Sequence, residues 1–115
     1  MQQIANVIPI LQDKSIYNII TYALNNNKIK THNIKDALNT NLIQQNSLII
    51  IDQDVDENYK KIIFKKIKKL TLPPYILLAI SKNYRYFLTK PLNPLISGII
   101  YKPFDMEELL QIIQK

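Results

Sequence analysis

The sequence predicts an α/β domain with a parallel sheet and helices packed against it. Three observations carry that expectation. Short β-rich runs alternate with stretches of helical periodicity. Two runs, Leu48-Ile49-Ile50-Ile51 and Tyr75 to Ile80, are continuously apolar, as strands buried on both faces are. The first of them ends abruptly in Asp52-Gln53-Asp54-Val55-Asp56-Glu57, marking a carboxyl edge, where sheets of this class bind ligands.

Ala5 to Leu11 is the expected first strand, and Pro9 within it lacks an N–H and should cost a ladder bond. From Lys14 to Leu24, Ile16, Ile19, Ile20, Ala23 and Leu24 recur at helical spacing, with Asp13 or Ser15 as the cap. Asn25-Asn26-Asn27 stops that helix, because asparagine tolerates left-handed backbone. Lys28 to Asn33 fits a short edge strand; Ala37, Leu38, Leu42 and Ile43 fit a second short helix.

A third helix is expected from about Glu57 to Leu70. Tyr59, Ile62, Ile63, Ile67 and Leu70 form its inward stripe, and Lys60, Lys61, Lys65, Lys66, Lys68 and Lys69 its solvated face. Pro73-Pro74 ends this segment. Lys82 to Ile96 should hold a fourth helix, shortened or broken by Pro91 and Pro94, with Tyr84, Tyr86, Phe87 and Leu88 partly buried. Gly98, the only glycine, stands where a left-handed residue would release the chain into a last strand, Ile99 to Tyr101. Asp105 caps a final helix, with Glu108 completing a capping-box pair and Met106, Leu109, Leu110 and Ile113 facing inward.

Composition narrows the function. A chain of 115 residues, 47% hydrophobic and 21% charged, fits one globular domain spanning 1–115. The lack of cysteine excludes disulfide and thiolate chemistry. No apolar run has the length of a membrane span, and the N-terminal residues Met1 to Asn6 do not make a signal peptide, so a cytoplasmic protein without a membrane partner is expected. The net charge of +6 is compatible with nucleic acid, yet Arg85 is the only arginine and the lysines are scattered among isoleucines and asparagines, as AT-rich codons produce without selection. His32 is a lone imidazole and no zinc ligand set accompanies it. With no Gly-rich phosphate loop, Ser-His-Asp set or catalytic acid pair, an enzyme is not expected.

Two segments carry a resemblance. Ile49-Ile50-Ile51-Asp52, and fifty residues later Lys102-Pro103-Phe104 before an acidic amphipathic helix, resemble the receiver domain of two-component response regulators. Ala37-Leu38, 15 residues before Asp52, stands where the second helix of receivers does, so the likeness covers nearly the whole chain. It implies a flavodoxin-like (CheY-like) doubly wound sandwich, with a five-stranded parallel sheet in the order 2-1-3-4-5 and helices on both faces, and with Asp52 as phosphoacceptor and Lys102 as the phosphate-binding, ion-pairing lysine. A Lys102–Asp52 contact is expected, and a cis Lys102-Pro103 bond, as is usual in receivers. Phosphoryl transfer to a carboxylate needs a divalent cation and a lysine to neutralise the charge that develops.

The rest of that constellation is depleted. The family's acidic pair falls on Leu11 and Gln12, or on Gln12 and Asp13 if strand one shifts by one residue. The strand-four hydroxyl falls on Ala79, with Ser81 two residues too late unless a bulge intervenes, and the switch aromatic on Ile99. Asp52, Asp13 and Asp54 remain as candidate metal ligands, so Mg²⁺ binding is expected to be weakened. The expectation is an atypical receiver with impaired phosphorylation, acting through a signalling face of Ile99, Tyr101 and Phe104 that dimerises or binds an output domain. A histidine kinase or phosphotransfer protein is the implied upstream partner, and nucleic acid enters only through a fused domain. Two rivals stay open: a phosphorylatable receiver controlling a DNA-binding or other output, and a basic scaffolding or nucleic-acid-binding domain using the lysines of helix three.

Overall fold

The computed structural model describes Ile4 and residues 6–35, 47–70, 73–81, 93–102 and 105–114. The elements there are β1 (Asn6–Ile10), α1 (Lys14–Asn26), β2 (Lys30–Thr31), β3 (Ser47–Asp52), α2 (Glu57–Lys68), β4 (Tyr75–Ser81), β5 (Gly98–Lys102) and α3 (Met106–Gln114). The strands form one parallel sheet in the order β2-β1-β3-β4-β5, the order the resemblance implies. Ala37, Leu38, Leu42, Ile43, Tyr84, Tyr86, Phe87, Leu88 and Pro91, assigned to the second and fourth predicted helices, lie outside the described residues.

Strand alternation sorts the apolar runs into two cores. Ile49, Ile51, Ile76, Leu78 and Ile80 face one way and pack with Ile63 and Ile67 of α2. Leu48, Ile50, Leu77, Ala79 and Ile100 face the other way, under Ile20 and Leu24 of α1 and Leu109 and Ile113 of α3. Every residue of β3 is buried, which is why its run is apolar without a break. Each fully buried isoleucine removes enough surface from water to contribute about 1.5–3 kcal/mol.

Helix phase is where the sequence reading needs correction. Ile19 and Ile62, assigned to inward stripes, are exposed, and Lys60, assigned to the solvated face, is buried with 6% exposure. The caps and the packing lines account for this. Asp13 Oδ1 accepts from the N–H groups of Ser15 and Ile16, so Asp13 rather than Ser15 caps α1, and Ile20 and Leu24 form its inward line. Asp56 Oδ2 accepts from Tyr59 N–H and starts α2, whose inward line is Lys60, Ile63 and Ile67, spaced i, i+3, i+7. Ile19 and Ile62 each sit about 100° off those lines.

Two backbone expectations are also overturned. Among the described residues, the left-handed position is not Gly98 but Lys28, with φ 63°. There Lys28 N–H bonds Asn25 O and Ile29 N–H bonds Leu24 O, the paired bonds of a Schellman close, with Ile29 and Leu24 both buried. A lysine is strained in that conformation, so Lys28→Gly is expected to stabilise the fold by about 1 kcal/mol in urea unfolding, the gain being partly offset by glycine's freer unfolded chain. Gly98 instead opens β5 opposite Leu77, where an added Cβ would meet Leu77 Cδ2 at 3.2 Å.

Pro9 does not cost the expected ladder bond. Val7 O accepts from His32 N–H, so Val7 faces β2, and strand alternation turns Pro9 the same way. The two-residue β2 ends at Thr31, paired with Val7, and leaves no β2 partner opposite the proline nitrogen. His32 Nε2 lies 3.1 Å from Asn6 Oδ1 and is satisfied across the same strand pair.

Candidate functional site

The chemistry-bearing residues gather at the carboxyl edge of the sheet. Asp52 ends β3 and Lys102 ends β5, with β4 between them. The pairing is unbroken: Asp52 stands opposite Ala79, Ala79 opposite Ile100, and Ser81 opposite Lys102. The register carries no bulge, so Ala79 is the residue beside Asp52 and Ser81 the residue beside Lys102. Asp52 and Lys102 side chains therefore lie on one face, two strand spacings of about 4.8 Å each apart, with Lys102 two residues further along.

Lys102 Nζ bonds Asp52 Oδ1 at 2.8 Å and Asp54 Oδ2 at 3.0 Å. Asp52 Oδ1 also accepts the N–H of Asp54 at 3.0 Å, a short turn that brings the second carboxylate over the ammonium. Asp52 is buried with 5% exposure, whereas the Asp54 side chain is 66% exposed. The inner contact is therefore the stronger one, because the outer is screened by water. Asp52 does not cap α2; Asp56 does.

Burial, the largest single influence, pulls the Lys102 ammonium down, but its hydrogen bonds and charge contacts with Asp52 and Asp54 outweigh it and hold the group above the ordinary lysine value of 10.5. A raised folded value means that the ion pair stabilises the fold fully below pH 10.5 and that this contribution is lost as pH rises through the folded value. Urea unfolding between pH 8 and about 11 should show that loss, and Lys102→Met should remove the part of the slope due to this group.

A fourth charged side chain supports this corner. Lys60 Nζ donates to the Gln53 carbonyl at 2.8 Å and pairs with Glu57 Oε1 at 2.7 Å. It thereby ties α2 to the peptide immediately after Asp52. The sequence reading missed it, although its spacing from Ile63 and Ile67 placed it on the inward line and Glu57 stood three residues before it.

Asp13, the remaining candidate metal ligand, is placed as the α1 cap, with its Oδ1 used by two N–H groups. The structure thus joins Asp52, Asp54 and Lys102. Among the described residues, no group of three or more carboxylate, imidazole or thiol side chains converges as a metal-binding set. Ile99 is half-buried and packs against the α2-side core, and Tyr101 is exposed, both on β5 at the end of the sheet order. Phe104 and the Lys102-Pro103 bond lie outside the described residues. No helix among the described residues is long and apolar enough to cross a membrane.

No protein-family model matches the chain, and no curated protein does. Solved structures do. The chain is similar to a response regulator receiver domain protein (CheY-like) from Methanospirillum hungatei JF-1, with a TM-score of 0.68 and 16% identity over 94% of this chain and 90% of that one. It is also similar to the chemotaxis response regulator CheY4 of Vibrio cholerae, with a TM-score of 0.65 and 18% identity over 96% of each chain. With a parallel sheet in the order β2-β1-β3-β4-β5 and this likeness over nearly the whole chain, the fold is that of a CheY-like response regulator receiver domain.

Proposed function

We propose that the chain is a signalling receiver that works through protein contacts and takes phosphate at Asp52 poorly or not at all. The observation that carries this reading is the Lys102 ammonium held between Asp52 and Asp54. Magnesium needs several hard oxygens in a tight octahedron. Here both nearby carboxylates already bond an ammonium, Asp13 caps a helix, and Leu11 and Gln12 supply no carboxylate. This donor set fits the ion poorly, and Ala79 brings no hydroxyl to the phosphoryl oxygens.

The fold supports a role in signalling, since both structural relatives are described as response regulators. On this reading the protein is no enzyme and works in the cytoplasm. Its output runs through the β5 face bearing Ile99 and Tyr101, extended by Phe104, towards a second copy or an output domain, with a histidine kinase or phosphotransfer protein upstream. A phosphorylatable receiver is the second reading, favoured by the buried Asp52 and its contact with Lys102, which such a receiver also needs. Incubation with acetyl phosphate and Mg²⁺, followed by intact mass measurement, separates the two. The preferred reading expects no mass gain; one added phosphate, absent from Asp52→Asn, establishes the second.

A further inference from the structure

A groove lies on the α2 side of the molecule, independent of the Asp52–Lys102 corner. Its volume is about 490 Å³, and Lys61, Lys65 and Lys68 line it together with Phe64, Pro94, Leu95 and Asn93. The helix α2 leaves the carboxyl edge of the sheet and returns, so its last turns meet the 93–97 segment where that segment enters β5. That segment is held in place: Asn93 Oδ1 accepts from Leu95 N–H, Asn93 O from Ile96 N–H, and Ser97 N–H bonds Ile76 O. The groove therefore has two walls of ordered backbone.

Its chemistry is two-sided. Lys61, Lys65 and Lys68 are exposed, spaced i, i+4, i+7, and form no ion pair among the described residues. They make a cationic row about 10.5 Å long. Between that row and Pro94 lie the half-buried Phe64 and Leu95, whose inner parts pack on the core. No carboxylate lines the groove among the described residues. A solvated lysine face has no need of such an apolar floor.

The geometry points to a docking groove for an acidic amphipathic helix of a partner protein. Carboxylates at i, i+4 and i+7 on that helix match the lysine row, and adjoining leucine-type side chains fill the floor. Nucleic acid fits less well, since a hydrated phosphate backbone gains nothing from Phe64, Pro94 and Leu95, and no arginine lines the groove among the described residues. A second copy fits less well too, because the chain's own acidic helix α3 keeps Leu109 and Ile113 buried in its core.

Binding of a dye-labelled, end-blocked helical peptide with Glu at i, i+4 and i+7 and Leu on the adjoining stripe tests this by fluorescence anisotropy at low salt. Micromolar binding is expected, weakened roughly tenfold or more by K61E/K65E/K68E and by raised salt. A matched reversal elsewhere, K14E/K30E/K35E, should leave affinity within about twofold, and a peptide with Ser for Leu should lose binding. The proposal is overturned by no binding at low salt, by equal loss in both triple variants, or by a Ser peptide that binds as well. Tighter, lysine-row-dependent binding of a random DNA duplex that displaces the peptide overturns it in favour of nucleic acid. The substituted lysines are exposed and the peptide changes leave the protein untouched, so folding does not confuse the outcome.

Discussion

Lys102→Met is expected to lower the unfolding free energy by about 3 kcal/mol. Methionine keeps most of the side-chain volume but removes the ammonium. Asp52, whose side chain is only 7% exposed, is then left with the Asp54 N–H as its remaining described partner. Breaking a buried ion pair from one side costs about 3–5 kcal/mol, and the partial exposure of Lys102 puts this case at the low end. Asp52→Asn should cost less, about 1 kcal/mol, because no carboxylate is left stranded and Lys102 retains Asp54. The double variant should recover about 2 kcal/mol relative to the sum of the two single losses. Urea melts with unchanged slope would measure all three. A loss below about 1 kcal/mol for Lys102→Met would mean that water, not the ammonium, serves Asp52.

Lys60→Met should cost about 2 kcal/mol through a different route. The Lys60 stem fills a place on the inward line of α2, and its ammonium bonds the Gln53 carbonyl. Methionine preserves the stem and deletes that charge-assisted bond. Glu57→Gln should cost under about 0.5 kcal/mol, because Glu57 is 71% exposed and its half of the pair is solvated. The contrast between these two variants separates the buried contact from the surface one. Since Lys60 anchors the turn after Asp52, Lys60→Met should also shift the amide resonances of Gln53 and Asp54. Unmoved resonances with full stability would remove Lys60 from the site.

The fold was legible because its strands are read from composition rather than phase. Leu48 to Ile51 and Ile76 to Ile80 are buried on both faces, so no periodicity had to be resolved. Asp52 was visible as the polar residue that ends an apolar run, whereas Lys102 was found through the resemblance that Lys102-Pro103-Phe104 carries. Helix faces were harder. An amphipathic stripe can be drawn through either of two adjacent isoleucines, and in both Ile19/Ile20 and Ile62/Ile63 the packing chose the second. Lys60 was hidden by its type: a long side chain can bury its stem while its end finds a carbonyl, and only the tertiary contact reveals which lysine does so. The roles of Pro9 and Gly98 depend on neighbours distant in sequence, the end of β2 and Leu77, which no local pattern reports.

The claim at the centre of this account is that an ammonium, not magnesium, balances the carboxylate at the end of β3. A magnesium titration followed by NMR, reading the side-chain carboxyl carbons of Asp52 and Asp54 and the Lys102 ammonium, tests it most directly. These signals should stay in place through millimolar Mg²⁺ at neutral pH. A saturable shift of the Asp52 carboxyl carbon, with the Lys102 ammonium released in step, would contradict it.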